Sequence, residues 1–133
     1  MGYAGDLTPR EAFDLVQDDP DAVLVDVRTE AEWRFVGVPS GLEREPVLVS
    51  WLPVDPGRFL GELAEAGIVP GTDRKVVFLC RSGQRSVAAA ETATAAGIAV
   101  SYNVLEGFEG PLDGEGHRGG SGWRAAGLPW RQS

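Results

Sequence analysis

The stretch "KVVFLCRSGQRS", residues 75–86, is the most informative part of the sequence, because an apolar run ends at the only cysteine of the chain, Cys80, and a glycine-containing turn follows it. Residues 75–80 are almost wholly apolar, which is typical of a parallel strand covered by helices on both sides. Beyond the turn, an alanine-rich segment that stops at Gly97 predicts a helix from residue 83 or 84 to residue 96. Cys80 is therefore expected between a buried strand and a helix.

Strands and helices are predicted in alternation through most of the remaining chain. Further strands are predicted at residues 22–27, 47–51 and 98–105. Thr8 and Thr29 each stand three residues before a glutamate, which is the spacing of a capping box, and Asp55 precedes Pro56, so a helix is predicted after each. Residues 35–46 show no clear period and predict a loop, and residues 122–127 predict a short helical turn.

This alternation predicts an α/β fold with a central, mostly parallel sheet of about five strands and helices on both faces. With 133 residues, 43% of them hydrophobic, the chain fits one domain over residues 1–133, in which the glycine-rich residues 106–122 form a loop before the last helical turn. Ligands of such sheets bind beyond the carboxyl ends of the strands. Two predicted strand ends carry reactive side chains there, Asp26 with Arg28 and Cys80 with Arg81.

The composition argues against several classes of function. A single cysteine forms no internal disulfide, and one cysteine with one histidine makes a protein metal site or a metal cofactor unexpected. The chain has no apolar run near the roughly 18 residues that a membrane span needs, and its first residues do not resemble a signal peptide. We therefore expect a cytoplasmic protein with a reduced thiol.

The charge is acidic overall and basic around the cysteine. A net charge of −8 and a pI near 4.6 argue against nucleic acid or an anionic membrane as a partner. The segment from Arg74 to Glu91 nevertheless has a local excess of +3, since it holds four cations and one anion. Chance clustering on a solvated face is the alternative to a functional basic site.

The turn after Cys80 has the features of an anion site. Its backbone N–H groups and the positive end of the following helix favour an anion such as a thiolate, and neighbouring arginines add to this effect. Gly83 lets the backbone turn without a steric clash. Arg81 and Arg85 can present forked donors to a sulfonate or a phosphate. An inert buried cysteine is the common alternative, but the arginines, the glycine and the helix start favour a nucleophile.

The sequence resembles the single-domain rhodanese-like sulfurtransferases. "CRSGQRS" is similar to the active-site loop of that family, and "LVDVRTEAEW" is similar to its first-strand motif of Asp-x-Arg followed by a helix with an aromatic residue. "NVLEGFEG" and "GWRAAGLPW" resemble its strand-then-glycine segment and its terminal helix. The family's His-Ile-Pro is replaced here by "VGVPSG", and "FEGPLDGEGHRGGSG", which contains His117 and Arg118, is an extra stretch.

The resemblance implies an activity and a set of roles. Cys80 takes a sulfane sulfur from a small anionic donor such as thiosulfate, forms a persulfide, and passes the sulfur to a small thiol, cyanide or a protein thiol, with no cofactor. Asp26 and Arg28 brace the loop, although a plain structural ion pair is the other interpretation. The resemblance also implies which loop residues bind the donor and surround the persulfide: Arg81, Ser82, Gly83, Gln84, Arg85 and Ser86.

Two other functions remain open from the sequence. Cysteine-dependent phosphatases and arsenate reductases have similar loops, but those place five residues between the cysteine and the arginine, whereas four separate Cys80 from Arg85. The shorter loop better fits one sulfur atom than a phosphoryl group. The second alternative is a rhodanese-like module that binds a partner or relays sulfur to a protein.

Overall fold

The centre of the molecule is a five-stranded parallel sheet, seen in a computed structural model that describes residues 2–132. In chain order the elements are β1 (Gly5–Leu7), α1 (Pro9–Asp18), β2 (Val23–Asp26), α2 (Glu30–Phe35), β3 (Val38–Pro39), β4 (Val47–Leu48), α3 (Pro56–Glu65), β5 (Val76–Leu79), α4 (Arg85–Ala95), β6 (Ser101–Val104) and β7 (Trp130–Arg131). The strand order is β1-β6-β5-β2-β4, and every neighbouring pair is parallel. The predicted α/β class and the five-stranded sheet are confirmed.

The helix starts follow the capping residues in the sequence. At α1, Thr8 accepts a hydrogen bond from the backbone of Glu11, and the Glu11 carboxylate accepts one from the backbone of Thr8. Thr29 and Glu32 make the same reciprocal pair at α2. Both capping boxes satisfy backbone donors that have no partner inside a helix, which fixes where each helix begins.

Helices cover both faces of the sheet and place Cys80 on one of them. Val76, Phe78 and Cys80 point to the face that is covered by α3 and α4, while Val77 and Leu79 point to the face that is covered by α1. The α4 side chains that meet the sheet are small alanines with no exposed area, so this helix lies close to β5 and β6. The close approach brings the first turn of α4 to the end of β5.

The structure differs from the sequence-based elements in several places. The strand expected at residues 47–51 is reduced to β4, and the one expected at residues 98–105 is reduced to β6. The loop expected at residues 35–46 contains β3, which pairs antiparallel with β7, so that expectation is wrong at Val38–Pro39. The segment 122–127 is a turn, in which Ala126 N donates to Gly122 O at 2.9 Å and Gly127 N donates to Arg124 O at 3.0 Å. Within residues 2–132, no helix is both long and apolar enough to cross a membrane.

Candidate active site

Cys80 lies directly after β5, with its sulfur at the start of α4. The residue is buried, with 1% of its surface exposed, yet its sulfur is not surrounded by hydrocarbon alone. The backbone N–H of Gly83 donates to Cys80 Sγ at 3.1 Å, and Ser86 Oγ lies 3.1 Å from the same sulfur. Two polar hydrogen-bonding groups therefore meet the sulfur at the positive end of a helix.

The turn between the strand and the helix has the shape that its glycine allows. Gly83 has a φ of +97°, and a Cβ at this position would lie 3.2 Å from the backbone nitrogen of Glu106. Ser82 is partly exposed within the same turn. Gln84 is the residue at the N-cap of α4, and its side chain caps none of the first backbone amides. These amides therefore stay available to an anion at the end of the helix.

Arg85, the first residue of α4, is paired with Glu32 of α2. The two terminal nitrogens of Arg85 donate to the two carboxylate oxygens of Glu32 at 2.8 and 3.0 Å. Burial alone would raise the pKa of Glu32, but hydrogen bonds from Arg85 and Thr29 and the charge of Arg85 lower it to about 2. The hydrogen bond to Glu32 also raises the pKa of Arg85, and the nearby Cys80 adds to this effect. The pair is ionised at neutral pH.

Arg81 points to a second carboxylate. Its Nε lies 3.4 Å from Glu109 Oε2, and Arg124 lies 3.7 Å from the other oxygen of the same carboxylate. The side chain of Arg81 is 46% exposed, whereas that of Arg85 is 34% exposed. The structure therefore places both arginines of the loop near the cysteine and gives each an acidic partner.

Ser86 lies under the loop and is fully buried. Its hydroxyl lies between Cys80 Sγ and Asn103 Oδ1, at 3.1 and 2.5 Å. Asn103 is in β6, the strand next to β5, and its amide nitrogen donates to Asp6 of β1 at 3.0 Å. The cysteine is thus connected through three side chains to the edge of the sheet.

Asp26 and Arg28 form a wholly buried ion pair at the end of β2. Arg28 donates to Asp26 Oδ2 at 2.7 Å and to the carbonyl oxygen of Gly37 at 2.7 Å, and neither side chain of the ion pair is exposed. The guanidinium of Arg28 lies over the ring of Phe108, 4.3 Å from its centre. The backbone N–H of Phe108 donates to the carbonyl oxygen of Cys80 at 2.8 Å. The pair therefore reaches the cysteine loop through Phe108.

The extra stretch begins beside the cysteine loop and then runs over the surface. A Cβ at Gly107, which directly precedes this stretch, would lie 2.5 Å from the carbonyl oxygen of Cys80, so the backbones pack against each other there. Farther along, the Asp113 carboxylate accepts the backbone N–H of His117 and closes a tight turn. Arg118 donates to the carbonyl oxygen of Gly110 at 2.9 Å, and His117 is exposed. Arg118 thus makes a hydrogen bond within the extra stretch.

Several residues of this site were not found as site residues from the sequence. Glu32 was assigned only to the capping box of α2, and its contact with Arg85 spans 53 positions. Asn103 had one usable signal, which is an amide side chain within a predicted strand, and Ser101 of the same strand shares that polarity. Phe108 and Glu109 lie in the glycine-rich segment, and nothing local marks them as partners of Arg28 and Arg81.

These contacts define what the site can do. A sulfur that receives an amide hydrogen at a helix start is set up to carry negative charge, and flanking arginines suit an anionic reactant. Within the described residues, no group of three or more His, Cys, Asp or Glu side chains comes together as a possible metal site. The Gly83 N–H that donates to Cys80 Sγ is a group that fits an anion.

The fold and this loop define a class of α/β proteins that place a cysteine between the end of a parallel strand and the start of a helix. The family model of the Rhodanese-like domain matches residues 8–110 of the chain. The chain therefore belongs to the rhodanese-like domain family.

Solved structures extend this result to nearly the whole chain. Rv0390 from M. tuberculosis is 58% identical and superposes with a TM-score of 0.87, over 99% of this chain and 100% of that one. RPA3614 from Rhodopseudomonas palustris, described as a possible tyrosine phosphatase, is 27% identical, with a TM-score of 0.63 over 96% and 84% of the two chains. The polysulfide-sulfur transferase homodimer from Wolinella succinogenes is 25% identical, with a TM-score of 0.63 over 96% and 78%.

Proposed function

We propose that this protein is a sulfurtransferase that moves a sulfane sulfur from a small anionic donor such as thiosulfate to a thiophilic acceptor, with Cys80 as the catalytic residue. The observation that carries the proposal is the hydrogen bond from the Gly83 amide to Cys80 Sγ at the first turn of α4. The family of the chain and the sulfur transferase among its structural relatives support the same chemistry.

The reaction divides into two displacements at sulfur. The Cys80 thiolate attacks the outer sulfur of thiosulfate, a sulfur–sulfur bond forms to the protein, and the bond to the sulfonate sulfur breaks, so sulfite leaves with the electron pair. An acceptor such as cyanide, a small thiol or a protein thiol then attacks the outer sulfur of the persulfide. The bond between Cys80 Sγ and the outer sulfur breaks and the Cys80 thiolate is restored, so no net oxidant is needed.

The loop residues supply binding and charge in this scheme. The amides of the loop, from Arg81 through Gly83 to the first turn of α4, hold the outer sulfur of the persulfide, because donors aimed at a developing anion lower its energy. Arg81 and Arg85 attract the donor through charge and through the N–H groups that do not bind Glu109 and Glu32. Asp26 and Arg28 keep the loop in place through Phe108. No cofactor takes part.

The decisive experiment uses the single cysteine of the chain. The protein is incubated with thiosulfate and its intact mass is measured, with Cys80→Ala as the matched control. The parent is expected to gain the mass of one sulfur atom, the variant none, and cyanide is expected to remove the sulfur from the parent. A parent mass that stays unchanged over a range of donors would sink the proposal.

Phosphatase chemistry is the second candidate, since one structural relative is described as a possible tyrosine phosphatase. A phosphatase of this kind holds the phosphoryl group with the arginine of the loop, but both terminal nitrogens of Arg85 bind Glu32. Four residues between Cys80 and Arg85 also make a small cradle. We expect no hydrolysis of an aryl phosphate above the level of Cys80→Ala, and a Cys80-dependent turnover would favour this candidate instead.

The remaining properties are proposals of the same kind. The net charge of −8 argues against nucleic acid and anionic membranes as partners, whereas the local excess of +3 between Arg74 and Glu91 supports a small anionic donor, and a reduced single thiol suits the cytoplasm. A protein that only relays sulfur to a dedicated partner would load from thiosulfate and fail to turn over with small acceptors. Turnover with cyanide or a small thiol alone is expected.

A further inference from the structure

A chain of hydrogen bonds leads from Cys80 to the edge of the sheet. Ser86 Oγ lies 3.1 Å from Cys80 Sγ and 2.5 Å from Asn103 Oδ1, and the amide nitrogen of Asn103 donates to Asp6 Oδ1 at 3.0 Å. Asp6 and Asn103 are direct neighbours in the register of β1 and β6. The hydroxyl of Tyr3 donates to the same oxygen of Asp6 at 2.8 Å.

Asp6, at the outer end of this series of hydrogen bonds, determines which group donates and which accepts in each of them. An ionised carboxylate only accepts hydrogen bonds, so Asn103 must turn its NH2 group to Asp6 and its carbonyl oxygen to Ser86. The Ser86 hydroxyl has one proton, and the Asn103 oxygen that faces it at 2.5 Å has none to give. The proton of Ser86 therefore goes to Asn103. Ser86 presents only lone pairs to Cys80, which accept a thiol S–H and repel a thiolate.

We propose that Asp6, acting through Asn103, holds the Ser86 hydroxyl turned away from Cys80 and so keeps the resting sulfur as a thiol. Asp6 and Asn103 are positioning residues in this account. When the thiol proton leaves to solvent, Ser86 must turn its own proton from Asn103 Oδ1 to Cys80 Sγ, and the Asn103 oxygen then loses its donor. This inference rests on the proposed function in one respect: the thiol that Ser86 keeps protonated is the proposed nucleophile.

Other charged groups also act on this site, and the test leaves them unchanged. They form three pairs around the loop: Arg85 with Glu32, Arg81 with Glu109, and Arg28 with Asp26. They come from α4 and α2, from the loop after Cys80, from the loop after β6, and from the end of β2. None of these six side chains is replaced, so a change in the ionisation of the sulfur does not come from them.

The main variant is Asp6→Asn, at an exposed position of an edge strand. The new amide can donate to Asn103 Oδ1, which lets Asn103 turn its NH2 group to Ser86 and frees the Ser86 proton for Cys80. Because a hydrogen bond donated to the sulfur favours its charged form, the thiolate fraction at a fixed pH is expected to rise about tenfold. The fraction is measured from the ultraviolet absorbance of the thiolate across pH, after subtraction of the same protein carrying Cys80→Ser.

Loss of the Asp6 charge also favours a thiolate, so a second arm separates the two causes. In a Ser86→Ala background no hydroxyl remains to turn, and Asp6→Asn is expected to leave the thiolate fraction almost unchanged. Asn103→Ala retains the Asp6 charge while it frees Ser86, and it is expected to raise the fraction as Asp6→Asn does. Glu91→Gln removes another exposed charge that acts on Tyr3 and should change the fraction less than about twofold.

The outcomes separate the possibilities. A rise that depends on Ser86 and is shared by Asp6→Asn and Asn103→Ala supports the proposal. An equal rise with and without the Ser86 hydroxyl shows a charge effect and overturns it, and so does no rise at all. Since the assay contains no sulfur donor, its result is independent of the thiosulfate mass experiment, and either can fail while the other holds.

Discussion

Glu32 accepts a hydrogen bond on each of its carboxylate oxygens from the two terminal nitrogens of Arg85, at 2.8 and 3.0 Å. The arginine that the sequence assigns to an anionic donor therefore already holds a carboxylate of the protein. A bidentate pair of this kind orients the guanidinium plane as well as neutralising it. A donor anion must use the N–H groups of Arg85 that remain, or compete with Glu32.

The pair predicts a defined pH dependence of stability. The pKa of Glu32 is lowered from its ordinary 4.5 to about 2 in the folded protein, so the pair stabilises the fold above pH 4.5, and this contribution disappears as the pH falls to about 2. Glu32→Gln is expected to lower the free energy of unfolding by about 1–2 kcal/mol at neutral pH, since the pair is partly exposed. Urea unfolding at several pH values should show that this difference shrinks to nothing near pH 2.

Glu11→Gln is the matched control for this experiment. Glu11 closes the capping box of α1 as Glu32 closes that of α2, and no ion pair to Glu11 is recorded among the described residues. Glutamine also serves in a capping box, so both variants keep the cap. If Glu11→Gln loses as much stability as Glu32→Gln, or if the loss in Glu32→Gln does not change with pH, the stabilisation does not come from Arg85.

Arg85→Ala separates donor binding from the packing of α2 on the loop. The change removes the proposed charged contact to thiosulfate and is expected to reduce kcat/KM for this donor by about 10- to 100-fold. It also leaves Glu32 without its partner, which lowers stability. Adding Glu32→Gln to Arg85→Ala should recover part of the free energy of unfolding and none of the sulfur transfer. Recovery of both would assign Arg85 a structural role only.

The sequence was sufficient for the local parts of the fold. Helix starts at Thr8 and Thr29 depend on contacts within three residues, and the buried run before Cys80 depends on hydrophobicity alone, so each could be recognised without knowledge of distant segments. The strands β3 and β7 could not, because each has two residues and gains its structure only from pairing across about ninety positions of the chain. Their periodicity is too short to detect.

The candidate active site was also predictable from the sequence only in its local part. Cys80 and its loop share one stretch of chain, and their chemistry follows from residue type and spacing. Glu32 and Asn103 meet the loop only after the sheet assembles, since their contacts with Arg85 and Ser86 span 53 and 17 positions. Charge and polarity make such residues candidates, but the sheet order determines which of the many acidic residues faces the loop.

Gly107 tests how far the loop geometry depends on the segment after β6. It has a φ of +62°, and a Cβ there would lie 2.5 Å from the carbonyl oxygen of Cys80. Gly107→Ala is expected to displace the Cys80 loop, with a loss of about 2 kcal/mol or more in the free energy of unfolding and a clear drop in sulfur loading. Thermal unfolding and the mass increase with thiosulfate measure the two effects.

Gly116→Ala controls for the backbone conformation at Gly107. Gly116 has a φ of +80°, but no atom lies within 4 Å of a Cβ built there. The variant therefore incurs only the cost of a left-handed residue, about 1 kcal/mol, and should load sulfur normally. Equal effects at both glycines would show that contact with Cys80 contributes nothing.

The buried pair of Asp26 and Arg28 predicts a large and asymmetric effect of substitution. Both side chains are fully buried, and Arg28 also donates to the carbonyl oxygen of Gly37 at 2.7 Å. Asp26→Asn leaves the Arg28 charge buried without its counter-ion, so the free energy of unfolding is expected to fall by about 3–5 kcal/mol. Glu62→Gln, which breaks the exposed pair of Arg58 and Glu62, should lower it by less than about 1 kcal/mol.

Replacing both members of the buried pair, with Asp26→Leu and Arg28→Met, should recover much of the stability, because no buried charge remains. Since Arg28 would then no longer hold Phe108 against the Cys80 loop, sulfur loading should stay low although the protein is folded. Urea unfolding and the mass increase with thiosulfate, measured on the same preparations, decide this: full loading in the double variant would contradict the role of the pair as a brace for the loop.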